Sequence, residues 1–165
     1  MPVPKLPIRI GVIGLSTSGG WATTLLAPIL GPSAPLTSTY KLTAISTRSA
    51  ESAAATATKY TSELGHTVKA YHGADGARAL ANDPDVDLVV VTVKVADHRA
   101  NALLALEAGK DVFVEWPLGR GFEEGKELAE LARKKGVRTM VGTQATQAPF
   151  VRKVSAGCGL MRRGY

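Results

Sequence analysis

In the stretch Ile8-Arg9-Ile10-Gly11-Val12-Ile13-Gly14-Leu15-Ser16-Thr17-Ser18-Gly19-Gly20-Trp21, an apolar run gives way to a loop of Gly, Ser and Thr. An apolar, helix-like segment follows it. Strand, glycine-rich loop and helix in this order form the opening of a dinucleotide-binding βαβ unit. There backbone N–H groups meet a pyrophosphate at a helix N-terminus, where the macrodipole favours negative charge. The usual spacing is G-x-G-x-x-G. Here Ser16 stands at the middle glycine, leaving Gly14-x-Ser16-x-x-Gly19. On this reading Gly14, Leu15, Ser16, Thr17, Ser18 and Gly19 form the phosphate loop. An ordinary flexible βα turn is the other reading of the same residues.

The rest of the chain keeps the same rhythm. Strands are expected at Ile8–Ile13, Leu42–Ser46, Val68–Tyr71, Leu88–Val93, Asp111–Val114 and Thr139–Gly142. The run Leu88–Val93 is apolar almost throughout, as suits a central parallel strand covered on both faces. Helices are expected at Ala50–Leu64 before Gly65, at Asp97–Ala108 with Asp97 as N-cap and Gly109 as its stop, and at Gly121–Lys135 before Gly136. The third has acids in its first turn and bases in its last. This alternation predicts an α/β fold: a Rossmann-type doubly wound parallel sheet of about six strands in the order 3-2-1-4-5-6. The domain is expected to span residues 1–153. Residues 154–165, with three glycines and no clear period, read as a disordered tail.

Composition narrows the classes. At 165 residues, with 45% hydrophobic and 21% charged residues, the chain has the make-up of one soluble globular domain. It has no apolar run of membrane-spanning length and no secretory leader, and its lone Cys158 fits a reducing compartment, so a cytoplasmic setting is expected, or a nuclear one for a regulator. No Cys/His cluster has metal-ligand spacing. The net charge of +6 is uneven. Residues 133–165 hold eight bases and no acid, which leaves 12 bases against 14 acids, a net −2, in residues 1–132. The basic end lacks interleaved aromatics and any DNA-binding motif, so it reads as solvated surface, and direct nucleic-acid binding is not expected.

Candidate chemistry gathers at the carboxyl ends of the strands, where open α/β sheets bind ligands. The second strand ends in Ser46-Thr47-Arg48-Ser49. An acid there would serve the ribose hydroxyls of NAD, whereas Arg48 with the hydroxyls of Thr47 and Ser49 suits the 2′-phosphate of NADP. Arg48 also reads as surface and Ser49 as a helix cap, and both readings are compatible with NADP. The fourth strand leads into Thr92-Val93-Lys94 and then His98, the fifth into Glu115-Trp116. Lys94 and His98 are placed to meet a ligand, although a loop Lys is usually solvated and a first-turn His is often surface. Glu115 suits a ribose bond or the orientation of a neighbour. Trp116 suits stacking on a ring or filling an interface.

The run Asp83-Pro84-Asp85-Val86-Asp87-Leu88-Val89-Val90-Val91-Thr92, then His98, Glu115-Trp116-Pro117-Leu118 and Val141-Gly142 resemble the amino-terminal half of the glucose-fructose oxidoreductase/inositol dehydrogenase family (Gfo/Idh/MocA-like). The resemblance runs over residues 7–153. It implies an NAD(P)-binding half, with a second α/β domain supplying much of the substrate site and the oligomer interface. It also implies hydride transfer on a sugar-like or polyol substrate. Three departures stand out. The family's Glu-Lys-Pro reads Glu115-Trp116-Pro117, so the Lys expected beside the transferred hydride is Trp, which handles no proton. Lys94 and His98 are then the nearby replacements. The usual Pro-Asn reads Val93-Lys94. These two changes, with Gly14-Leu15-Ser16 and Trp21, resemble the branch of fungal galactose-pathway repressors, which bind a dinucleotide and regulate by protein contact. Third, the second domain is absent, so the chain reads as a truncated or rearranged member. The expectation is therefore an NADP-binding oxidoreductase domain (NAD being the alternative cofactor), with weak or no activity by itself. The alternatives are a cofactor-sensing transcriptional regulator and an inactive truncated member. A homo-oligomer or a protein partner is expected at the exposed domain face.

Overall fold

The computed structural model describes residues 7–157. Six strands, β1 (Ile8–Ile13), β2 (Tyr40–Thr47), β3 (Lys69–His72), β4 (Leu88–Val91), β5 (Asp111–Glu115) and β6 (Thr139–Gly142), form one sheet in the order β3-β2-β1-β4-β5-β6. Every pairing is parallel. This is the expected Rossmann order. β1 sits at the centre, with Ile10–Ile13 in register against Leu88–Val91 of β4.

Side chains alternate between the two faces of the sheet, as strand geometry requires. Val89, Val91, Val112 and Val114 pack on one face with Leu80, Ala102, Leu106 and Leu128. Val12, Ile45 and Val90 pack on the other with Leu15, Ala53, Ala57 and Tyr60. Each Val, Leu or Ile so buried contributes about 1.5–3 kcal/mol of transfer free energy. The first face is covered by α4 (Gly76–Ala81), α5 (Val95–Glu107) and α6 (Phe122–Lys135), the second by α3 (Ala50–Leu64).

Helix ends follow local chemistry. The Ser49 side chain accepts the Ser52 N–H at 3.2 Å and starts α3. α6 has Glu123 and Glu124 in its first turn and Arg133, Lys134 and Lys135 in its last, matching the macrodipole at both ends.

The structure corrects four local expectations. α5 begins at Val95, with Lys94 as its N-cap, so Asp97 lies inside the first turn and does not cap it. β4 ends at Val91, and Thr92 follows it, giving both its N–H and its hydroxyl to the Ile13 carbonyl, each at 2.9 Å. The helix after β1 is broken into α1 (Trp21–Leu25) and α2 (Ala27–Leu30). Pro28 lies at the start of α2 and lacks the N–H that a continuous helix would use. Its dipole at the loop is therefore that of a five-residue segment. Finally, α7 (Pro149–Gly157) carries regular helix through residues 154–157, which were expected to be irregular. The remainder of that stretch, residues 158–165, lies outside the described residues.

Candidate functional site

Gly14 sets the shape of the loop. Its φ is +103°, and a Cβ there would lie 2.5 Å from the Thr92 carbonyl oxygen. The loop thus crosses the end of β4 at a distance only glycine permits. The crowding comes from the chain itself rather than from a ligand. Gly19 also has a positive φ, +94°, but open space surrounds its Cβ position. Ser16 ties the loop together: its hydroxyl accepts the Ser18 N–H at 3.1 Å, pairs with the Ser18 hydroxyl at 2.7 Å and lies 3.4 Å from that of Ser52 on α3.

Beside this loop, at the carboxyl ends of β1, β2, β4 and β5, lies a cleft of about 720 Å³. That volume falls in the range of small-molecule and cofactor sites. Gly14, Ser16, Ser18, Gly19, Thr47, Arg48, Ser49, Thr92, Val93, Lys94 and Glu115 line it. The structure therefore brings eleven of the sequence-derived residues to one cavity. Leu15, Thr17, His98 and Trp116 do not line it. Leu15 is fully buried in the core. The N–H of Thr17 donates to the Thr56 hydroxyl of α3 at 3.2 Å. Trp116 is 69% exposed beyond the end of β5.

His98 is a correction. Expected to face a ligand, it is 2% exposed and held between two backbone carbonyls, with Nδ1 2.7 Å from Pro117 O and Nε2 2.9 Å from Val93 O. Each ring nitrogen faces a carbonyl, to which its N–H donates when it carries the proton, and the ring does not line the cleft, so it is not placed as the cleft's open acid or base. Its chemistry is architectural: it joins the ends of β4 and β5.

Glu115 differs from it. It is 8% exposed and lines the cleft; its backbone pairs with Gly142 of β6, while its carboxyl makes no hydrogen bond to any described residue. Burial pushes its carboxyl above the ordinary glutamate range, and nearby His98 offsets this only in part. Among the lining residues not expected as site residues are Ser46, Ser52, Gly73, Asp97, Ala100 and Asn101. Asp97, Ala100 and Asn101 share the i, i+3, i+4 face of α5, a spacing visible in the sequence once the helix start is known. Among the described residues no three His, Cys, Asp or Glu side chains gather as a metal site, and no helix is long and apolar enough to cross a membrane.

Known proteins share this fold. Dehydrogenase aclE of Aspergillus oryzae is 40% identical over 147 residues, a match covering 89% of this chain and 38% of that protein. The galactose/lactose metabolism regulatory protein GAL80 of Saccharomyces cerevisiae is 25% identical over 165 residues, covering 96% of this chain and 35% of that one. The crystal structure of biliverdin reductase from Synechocystis, in complex with biliverdin and NADP+, matches with a TM-score of 0.70 at 27% identity, over 93% of this chain and 43% of that chain. The chain thus spans little more than a third of the length of these two curated relatives. Residues 8–143 match the family described as oxidoreductases with an NAD-binding Rossmann fold. The chain belongs to this Gfo/Idh/MocA oxidoreductase family, of which it spans the NAD(P)-binding Rossmann domain.

Proposed function

We propose that the cleft binds NADP(H) in preference to NAD(H), and that the domain serves hydride transfer on a sugar-like or polyol substrate. The observation that carries the cofactor choice is the end of β2: Ser46, Thr47, Arg48 and Ser49 line the cleft there, with no acid among them. An acid at that point would bond the ribose of NAD and repel a 2′-phosphate; a guanidinium with two hydroxyls binds the phosphate by charge-assisted hydrogen bonds. The biliverdin reductase structure holds NADP+, which supports the same choice. The residues fit the cofactor. Gly19 leaves open space for a pyrophosphate, Ser16 and Ser18 present hydroxyls beside it, and Thr92 and Glu115 line the same cleft.

When bound, the reduced nicotinamide supplies a hydride. The chain's own residues orient it and shield it from water. Lys94 is exposed on the same cleft, where its ammonium suits polarisation of a carbonyl oxygen. Titration with NADPH and NADH, followed by turnover on a panel of sugars and polyols, tests this reading. Tighter binding of NADPH with turnover supports it; no binding of either cofactor refutes it.

A second reading rests on Trp116. This residue stands where the family resemblance implies a proton-handling Lys, and it is 69% exposed. A non-catalytic regulator that senses the dinucleotide and meets a protein partner, or a second copy, through this face accounts for it. The similarity to GAL80 favours this reading, and binding without turnover is its signature.

A further inference from the structure

Resting on the dinucleotide reading, we infer that Glu115 is the proton carrier of the cleft: it is a carboxylic acid in the bound state, and its O–H donates to an oxygen of the ligand. Three observations converge on it. The side chain is more than nine-tenths buried yet lines the cleft. Its carboxyl makes no hydrogen bond to any described residue and opens onto the cleft, so solvent, or a ligand that displaces it, is the partner its position leaves. The other proton-handling candidate, His98, is closed off between the carbonyls of Val93 and Pro117, and Trp116 carries no titratable group.

A buried carboxylate without donors is costly, and such a group resolves the cost by taking up a proton. Burial already raises this carboxyl above its ordinary range, against the opposing influence of His98. A ligand filling the cleft would displace water from the carboxyl and so act in the same direction as burial. The charged groups that share the cleft are Lys94 and Asp97 at the start of α5 and Arg48 after β2. In carbonyl reduction the hydride goes to the carbonyl carbon and the Glu115 proton to the carbonyl oxygen. That leaves an alcohol, the oxidised dinucleotide and a Glu115 carboxylate, which solvent reprotonates. Oxidation of the alcohol runs the same transfers backwards.

Calorimetric titration of this chain with NADPH and with NADH at neutral pH, in two buffers of different ionisation enthalpy, counts the protons taken up on binding. NADH lacks the 2′-phosphate, so its count is free of that group's own titration. The expected result is proton uptake by the unmodified chain with both cofactors, and its loss in Glu115→Gln. That variant keeps a donor, so its affinity should stay within about threefold, whereas Glu115→Ala should lose about tenfold. Equal proton counts in the unmodified chain and Glu115→Gln overturn the assignment while leaving dinucleotide binding intact. Failure of the unmodified chain to bind either cofactor removes the dinucleotide reading and this inference together.

Discussion

The Nδ1 atom of His98 lies 2.7 Å from the carbonyl oxygen of Pro117, tying the first turn of α5 to the segment directly after β5. With Nε2 facing the Val93 carbonyl at 2.9 Å, the ring bridges the two strand ends that border the cleft. His98→Ala should leave carbonyls unpaired and a void in the core, costing about 3 kcal/mol in urea unfolding. Lys94→Ala, on the exposed cleft surface, should change stability by no more than about 0.5 kcal/mol. Equal stability of the two variants would contradict the architectural role of His98.

Gly14 and Gly19 should respond differently to the same change. Gly14→Ala places a methyl against the Thr92 carbonyl in an unfavourable backbone region, at a cost of about 3 kcal/mol or more. Gly19→Ala meets no neighbour and carries only the backbone strain, about 1 kcal/mol. Its larger effect should be on dinucleotide affinity, because the added methyl projects into the space left for the ligand. Thermal unfolding and cofactor titration of both variants separate the two effects.

The opposite, amino-terminal edge of the sheet predicts the acid response. Burial alone would raise the Asp83 carboxyl, but hydrogen bonds from Lys69, the Asp85 N–H and Tyr71 outweigh it and hold it below the ordinary aspartate range. The hydrogen bonds from Arg9 lower Asp87 in the same way. A carboxyl lowered in the folded state contributes stability that is fully present above its unfolded value and is lost as pH falls through its folded one. Stability should therefore drop on acidification below about pH 4. Asp83→Asn should flatten that drop and cost about 1–3 kcal/mol at neutral pH. Urea unfolding across the acid range checks both; an unchanged acid limb in Asp83→Asn contradicts the account.

Trp116 should govern association. With 69% of its surface exposed, it presents an apolar area of the kind that recruits a partner or a second copy. Light scattering should show less self-association in Trp116→Ser than in the unmodified chain. Identical profiles would place the contact elsewhere.

Much of the fold was legible because its signals are local. Leu88–Val91 is apolar at every position, and α3 and α6 stop at Gly65 and Gly136 as the sequence implies. α4 was missed because six residues carry less than two helical turns of pattern. The site was legible as a set of strand ends, since the parallel order brings those ends together. What the sequence could not show was orientation. His98 and Glu115 are both buried polar residues beside strand ends, yet one sits between two backbone carbonyls and the other faces the cleft. That difference depends on the path of the chain through Pro117 and Val93, which no local pattern encodes.

The choice of cofactor is the central claim, and Arg48 carries it. Binding of NADPH and NADH to the unmodified chain and to Arg48→Ala, followed by fluorescence or calorimetry, measures it directly. NADPH should bind the unmodified chain at least about tenfold more tightly than NADH, a difference of about 1.5–3 kcal/mol, and Arg48→Ala should remove most of the gap. Equal affinities in the unmodified chain, or a preference that survives Arg48→Ala, would contradict the account.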